Sequence, residues 1–165
     1  GKGRALLEPL TLSKMLQAAD LKQSDVVLDI GGATGYGAAI LSPVVSTIIA
    51  VESNQDFLDS AQSIWNELGA NNIVPVHAKP RDGVDKDGPY NVIIMHGAVP
   101  EIPQQIAAHL AENGRLLCII KKPGDKLGQA TLVQSLGENR FSSYTLFECA
   151  ANYLDGFTPK PAFSF

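Results

Sequence analysis

The chain has 165 residues, of which 45% are hydrophobic and 18% are charged, and its formal net charge is −4. A chain of this length and composition can bury a sizeable core without disulfides or metals, so we expect a single folded domain. Nucleic-acid-binding proteins usually carry a basic surface, and the acidic balance therefore argues against DNA or RNA as a partner. No run of about 18 apolar residues is present, which argues against a membrane span.

The cysteines and histidines are not arranged as a metal site. Cys118 and Cys149 each lie in an apolar segment and lack the short spacing of zinc or redox pairs. His77, His96 and His109 have no metal-ligand spacing with one another or with a cysteine. We therefore expect buried free thiols and no metal. Since no apolar leader follows the first basic residues, we also expect a cytoplasmic protein.

Hydrophobic periodicity predicts alternating helices and strands over most of the chain. The predicted helices are Leu6–Ala19, Tyr36–Leu41, Gln55–Leu68 and Ile102–Ala111. The predicted strands are Val26–Ile30, Thr47–Val51, Ile73–His77, Asn91–Met95 and Gly114–Ile120. Pro75 places the third strand at an edge, and the continuous apolar run of the fourth strand places it centrally. The alternation predicts right-handed crossovers between parallel strands.

The last part of the chain has a different pattern. Segments Gln129–Leu136 and Phe141–Cys149 read as two strands around Gly137, which predicts an antiparallel hairpin. The tail Tyr153–Phe165 should be extended and packed onto the body through its aromatic side chains. The predicted fold class is therefore α/β, a doubly wound and mostly parallel Rossmann-like sheet that ends in an antiparallel hairpin.

A glycine-rich turn follows the first predicted strand. Gly31, Gly32 and Gly35 lack a Cβ, so the backbone can bend sharply there and approach a ligand closely. The next strand ends on Glu52, and a carboxylate at the carboxyl end of a parallel strand can accept both hydroxyls of a ribose. Together these features predict a pocket for an adenosyl cofactor. A tight turn without a ligand is the alternative interpretation.

The turn matches one nucleotide-binding pattern and not another. The dinucleotide pattern Gly-x-Gly-x-x-Gly is not met, because Ala33 and Tyr36 stand where glycines are required. The sequence does read Asp-x-Gly-x-Gly-x-Gly from Asp29 to Gly35, with Ala33 replacing the middle glycine. This resembles the first motif of S-adenosylmethionine-dependent methyltransferases.

Three later motifs make the resemblance more specific. Gly88–Ile94, His96–Pro103 and Asn113–Leu116 follow the turn in order, with the spacing and rarer residues of protein-L-isoaspartate O-methyltransferases. The resemblance covers about residues 5–122. It implies methyl transfer from S-adenosylmethionine to an isoaspartyl carboxylate of a damaged protein or peptide. It also implies that the chain lacks the family's N-terminal segment. Residues 1–22 would form an N-terminal helical segment, 23–122 the cofactor-binding core, and 123–165 the hairpin and tail.

The resemblance also implies a set of cofactor-binding residues. That set is Asp29, Gly31, Gly32, Ala33, Gly35, Glu52, Ser53, Lys79 and Gly97. The turn residues would line the methionine part, Glu52 would hold the ribose, Ser53 would lie against the adenosine, and Gly97 would lie along the cofactor. Asp29 would bond to turn amides or approach the cofactor ammonium, or it would simply cap the strand end. No catalytic residue is assigned, because a carboxylate acceptor is already ionised at pH 7.

Two departures from the family pattern leave other functions open. Lys79 stands where the family has an aspartate facing adenine, and a lysine can only donate hydrogen bonds. Glu8 stands in a segment where the family has hydroxyl side chains, and its charge would repel an incoming carboxylate by about 1–4 kcal/mol. A catalytically silent cofactor-binding or interaction domain is one alternative. A small-molecule O-methyltransferase, in which Glu8 binds a cation or hydroxyl, is another. We expect a monomer or a weak dimer.

Overall fold

The computed structural model describes residues 4–81 and 88–159. The strands are β1 (Val26–Ile30), β2 (Thr47–Glu52), β3 (Ile73–His77), β4 (Tyr90–Val99), β5 (Leu110–Ile120), β6 (Gly128–Ser135) and β7 (Phe141–Cys149). The helices are α1 (Pro9–Ala18), α2 (Tyr36–Leu41), α3 (Gln55–Glu67) and α4 (Gln104–Ala107). Within the described ranges, no helix is long and apolar enough to cross a membrane.

The strands form one seven-stranded sheet in the order β3-β2-β1-β4-β5-β6-β7. Neighbours from β3 to β5 are parallel, whereas β6 and β7 are antiparallel. This confirms the predicted doubly wound sheet, its edge strand β3 and its C-terminal hairpin. The chain winds outward in one direction from β1 to β3 and in the other from β4 to β5. Ligands in such sheets bind where the winding reverses, beyond the carboxyl ends of β1 and β4.

Each face of the sheet carries its own apolar cluster. One cluster joins β1, β2 and β4 to α1, α2 and α3 through side chains such as Met15, Leu41 and Trp65. The other face is covered by α4, which has only four residues, and by two tail side chains, Leu154 and Phe157. The tail therefore completes the covering of a face that α4 alone leaves open.

Several predicted boundaries were wrong, including the start of β5, which lies at Leu110 rather than Gly114. Helix α1 begins at Pro9 rather than Leu6, because the residue before a proline is held in an extended conformation, as Glu8 is here. Helix α4 ends at Ala107 rather than Ala111, because Leu110 pairs with Tyr90 of β4 and thereby begins β5. Strand β4 extends beyond its predicted end, because Ala98 and Val99 pair with Ile119 and Ile120 of β5.

The beginning of the tail lies against the carboxyl end of β4. Tyr153 forms a parallel bridge with Ala98, and Leu154 and Phe157 are buried. The predicted packing of the tail is therefore confirmed for these residues, whereas 160–165 lie outside the described residues. The division of the chain into residues 1–22, 23–122 and 123–165 stays a prediction.

Candidate functional site

The glycine-rich turn runs from the end of β1 into α2 and has three residues with positive φ. Gly31 and Gly35 have φ of +73° and +79°, and Ala33 between them has φ of +51°. The turn is attached to α3, since the indole nitrogen of Trp65 in that helix donates to the carbonyl of Gly35 at 2.9 Å. Positive φ explains the glycines at 31 and 35, whereas a Cβ on Gly32 would lie 2.6 Å from Oδ1 of Asp29. Ala33 carries strain that a glycine would not.

Glu52 ends β2 beside this turn, and its carboxylate is buried. The side chain is 3% exposed, and it accepts hydrogen bonds from the backbone amides of Ala33 at 3.0 Å and Asn54 at 2.9 Å. The hydroxyl oxygen of Ser53 lies 3.3 Å from the same carboxylate. The structure thus joins Glu52 to the turn through the amide of Ala33, whereas its role at a ribose stays a prediction.

Arg4 supplies the charge that balances Glu52, and the sequence analysis missed it. Its two terminal nitrogens donate to the two oxygens of the Glu52 carboxylate at 3.1 and 3.0 Å. One of them also donates to the carbonyl of Gly31 at 3.1 Å. Arg4 therefore lies over the mouth of the turn. It lies 48 residues before its partner, so no local sequence signal announces the contact.

Asp29 pairs with a histidine rather than with turn amides. Nε2 of His96 lies 2.7 Å from Oδ2 of Asp29, and both side chains are buried. Burial alone has the largest effect and lowers the pKa of His96. The charge and hydrogen bond of Asp29 outweigh it, so the pKa is raised. A Cβ on Gly37 would lie only 2.4 Å from Cε1 of this ring, so the start of α2 packs directly on the pair.

The remaining predicted residues lie around the same end of the sheet. The hydroxyl of Ser53 donates to Oδ2 of Asp155 at 2.8 Å, and a Cβ on Gly97 would lie 3.0 Å from the backbone of Leu154. Lys79 is exposed, two residues beyond β3. The structure thus brings the turn, Glu52 and Asp29 into one crevice, brings Ser53 and Gly97 to its tail-covered side, and leaves Lys79 at the surface.

The Glu52 carboxylate in this crevice is a group that suits a ribose, but protein side chains fill the crevice. A carboxylate at the end of β2 is a suitable acceptor for a sugar diol. The void beneath the turn and beside Glu52 measures about 10 Å³, whereas pockets for small ligands measure about 300–1,000 Å³. In front of the turn, Cδ1 of Leu154 lies 2.4 Å from the place a Cβ on Gly31 would take. Arg4 and Leu154 therefore stand where the predicted cofactor would bind.

A larger cavity of about 550 Å³ lies nearby, beyond the carboxyl end of β4. It is lined by Arg81, by the segment 100–106 and by Phe157. The guanidinium of Arg81 lies 4.5 Å from the centre of the Phe157 ring, which is a cation–π contact. Phe157 thus belongs both to the apolar cluster beneath the tail and to the wall of this cavity.

A family model and individual relatives of known sequence point to the same protein family. A family model described as "Protein-L-isoaspartate(D-aspartate) O-methyltransferase (PCMT)" matches residues 1–150. The protein-L-isoaspartate O-methyltransferase of Koribacter versatilis is 30% identical over 121 residues, which are 73% of this chain and 54% of that protein. The one of Pelotomaculum thermopropionicum is 31% identical over 133 residues, which are 81% and 57%. The chain thus spans little more than half the length of these relatives.

Solved structures agree on the fold. A structure of a protein-L-isoaspartate O-methyltransferase superposes with a TM-score of 0.82 at 26% identity, covering 90% of this chain and 47% of the other. A putative enzyme of that name from Plasmodium falciparum, solved with S-adenosyl-L-homocysteine, has a TM-score of 0.64 at 18% identity, covering 88% and 72%. The second likeness concerns the fold alone.

Proposed function

Because the chain belongs to the protein-L-isoaspartate O-methyltransferase family, we propose that it transfers a methyl group from S-adenosylmethionine to an isoaspartyl carboxylate of a protein or peptide. The family uses that cofactor. The observation that carries the proposal is the buried Glu52 carboxylate, which ends β2 and is bonded to the amide of Ala33 in the adjoining turn. This acidic side chain is positioned to accept a ribose diol.

The proposed binding roles are those that the family resemblance implies for the residues of this crevice. Gly31, Gly32 and Ala33 would line the methionine part of the cofactor, with Glu52 at the ribose. Ser53, Gly97 and Lys79 would lie along the remainder, whereas Gly35 shapes the turn. Asp29 would support the site through His96 rather than contact the cofactor. Their hydrogen bond links the ends of β1 and β4, on which the turn and Gly97 are carried.

Methyl transfer to a carboxylate requires that the two reactants are aligned, and it requires no proton transfer. When bound, the cofactor supplies an electrophilic methyl group on a sulfonium. An isoaspartyl carboxylate is ionised at pH 7, so this chain needs no general base. What its residues would contribute is a fixed turn, a ribose acceptor and a water-poor surface against which the acceptor is held. The buried Asp29–His96 pair is consistent with a positioning role in that arrangement.

Two measurements test the proposal. Calorimetric titration with S-adenosylhomocysteine should show binding to the full chain, and Glu52→Gln should weaken it strongly because a carboxylate is replaced by a neutral amide. The wild-type chain should transfer labelled methyl to an isoaspartyl peptide and should not transfer it to the matching aspartyl peptide. Exposed Glu138, which lies in the hairpin turn, offers the control substitution Glu138→Gln. Absence of both binding and transfer would overturn the proposal.

We also propose the partner class and the location that go with this activity. The partner would be a protein or peptide carrying an isoaspartyl residue, bound by a monomer or a weak dimer. A cytoplasmic location is supported by the two cysteines, which are both free and buried. Such thiols are typical of proteins that remain in a reducing compartment.

Two alternative functions have an observation in their favour. The filled space before the turn favours a catalytically silent domain, for which titration would register cofactor or partner binding without methyl transfer. The exposed side chain of Glu8 at the start of α1 favours a small-molecule O-methyltransferase that recognises a cation or hydroxyl there. Glu8→Ser separates the latter from the repair reaction, because it should raise transfer to an isoaspartyl peptide in the repair enzyme and impair transfer in the other.

A further inference from the structure

The groups proposed to hold the cofactor already have partners within the chain. Each oxygen of Glu52 accepts one hydrogen bond from the guanidinium of Arg4 and one from a backbone amide. A carboxylate offers about four acceptor positions, so these four donors leave none for a sugar. The ribose can reach Glu52 only if Arg4 gives up its place.

The second partner is the segment 152–157, which we call the C-terminal strap. Its backbone pairs with the end of β4, since Ala98 donates to the carbonyl of Asn152 at 2.8 Å and Leu154 donates to the carbonyl of Ala98 at 2.8 Å. This pairing places Leu154, which is 2% exposed, between Gly31 and Gly97. The strap therefore fills the gap between the two glycines that would line a cofactor.

The strap is also attached on its far side. Asp155 accepts the hydroxyl of Ser53, and Phe157 packs under the guanidinium of Arg81 at the wall of the 550 Å³ cavity. Between these two residues stands Gly156, with φ of +78° and no atom within 4 Å of the place of a Cβ. The strap thus runs from the turn at Leu154 to the cavity at Phe157. Lifting it would join the crevice to a space of the size that a nucleoside needs.

We propose that Arg4 and the C-terminal strap form an internal gate, which closes the crevice and is displaced when S-adenosylmethionine binds. The inference rests on the proposed function. Arg4 stands in for the ribose by donating to Glu52, and Leu154 stands in for the cofactor atoms that would pass between Gly31 and Gly97. Binding of the cofactor then includes breaking the contacts of Arg4 and of the strap, so the apparent affinity is lower than that of the open crevice.

The first test measures affinity. We expect Arg4→Ala to tighten the dissociation constant for S-adenosylhomocysteine, on the order of tenfold, because a charge-assisted pair no longer has to be broken. Arg4→Lys should tighten binding less, since lysine keeps the positive charge but cannot form the bidentate hydrogen bonds to Glu52. Leu154→Ala tests the strap independently and should also tighten binding. Arg140→Ala is the matched control, because Arg140 is an exposed arginine in the hairpin turn.

The second test measures the gate itself by amide hydrogen exchange. The amides of Ala98 and Leu154 form the two backbone bonds that attach the strap to β4. Saturation with S-adenosylhomocysteine should speed exchange at Leu154, while amides in the middle of β1 stay protected.

The outcomes separate the gate from the proposed function. Tighter binding by both Arg4→Ala and Leu154→Ala, with faster exchange at Leu154, supports the gate. Equal or weaker binding by these variants, with a wild type that binds, overturns the gate and leaves the proposed function in place. If neither the wild type nor the variants bind at millimolar concentration, the proposed function is overturned, and the gate as a cofactor gate with it.

Discussion

Nε2 of His96 and Oδ2 of Asp29 lie 2.7 Å apart and join the carboxyl ends of two adjacent parallel strands. Asp29 is in β1 just before the glycine turn, and His96 is in β4 just before Gly97. Because both side chains are buried, the Asp29 carboxylate favours the protonated form of His96 and raises its pKa. The charge of His96 is thereby coupled to the contact between the two strand ends.

This coupling predicts how stability depends on pH. The pKa of His96 is raised in the folded protein, so folding binds a proton that the unfolded chain holds less tightly. The corresponding stabilisation is fully present below the unfolded pKa of about 6.5. It is lost as pH rises through the higher folded pKa. We expect the free energy of unfolding, measured with urea, to fall as the pH rises above about 6.5.

The control for this prediction is a second histidine. His77→Gln changes an exposed ring whose partner is the carbonyl of Ser53, and it should leave the pH dependence intact. His96→Asn should abolish most of the dependence, because no group with a raised pKa remains at that place. A slope that persists in His96→Asn would show that another group is responsible.

Gly35 is predicted to tolerate no side chain. A Cβ there would lie 2.5 Å from the ring of Trp65 and 2.7 Å from Cβ of Ala61, besides having a φ of +79°. Gly35→Ala should destabilise the fold by about 2–4 kcal/mol, from overpacking and left-handed strain together. Gly69→Ala is the matched control, because Gly69 has φ of +68° and open space around it. That variant should cost only about 1 kcal/mol, from the backbone alone. Equal losses in the urea curves of the two variants would contradict the contact with Trp65.

Ala33 presents the opposite case, in which a side chain is already strained. Its φ is +51°, a conformation that costs an L residue about 1–2 kcal/mol relative to the right-handed region. Ala33→Gly removes this strain and adds about 0.4–1 kcal/mol of unfolded-state entropy to the cost of folding. We expect a net gain in unfolding free energy of about 0.5–1 kcal/mol. Ala39→Gly within α2 should instead lose about 1 kcal/mol, and a loss of that size at Ala33 would refute the strain argument.

The features that could be predicted from the sequence are those with local causes. The turn after Asp29 and the acidic end of β2 follow from glycine content and strand position, and the structure brings them together through the bond from Ala33 to Glu52. The edge position of β3 follows from Pro75, since a proline donates no ladder hydrogen bond. Each of these depends on residues within one supersecondary unit.

The features that were missed depend on distant segments. Arg4 reaches Glu52 from 48 residues away, and Asp155 reaches Ser53 from 102 residues away. The short α4 was missed for a related reason. The pairing of Tyr90 with Leu110 draws the end of the predicted helix into β5, and tertiary pairing overrides the local periodicity there. The sequence around Arg4 or Leu154 has no local pattern that predicts their contacts with Glu52 and Gly31.

Arg115 provides a last prediction about what holds the amino-terminal helix to the sheet. From β5 its guanidinium donates to Asp25 at 2.9 Å and to the carbonyls of Ala19 and Asp20 at 2.8 and 2.9 Å, so one side chain fixes the loop between α1 and β1. A lysine cannot reach three acceptors in this fork, and Arg115→Lys should cost about 1–3 kcal/mol in unfolding free energy. Arg140→Lys, where the ion pair with Glu138 is exposed and 3.9 Å long, should change it by less than about 0.5 kcal/mol. If Arg115→Lys were as mild as this control, charge alone would hold the loop, and the directed hydrogen bonds would contribute little. The larger loss is expected because the three acceptors are arranged in a geometry that only a planar guanidinium matches.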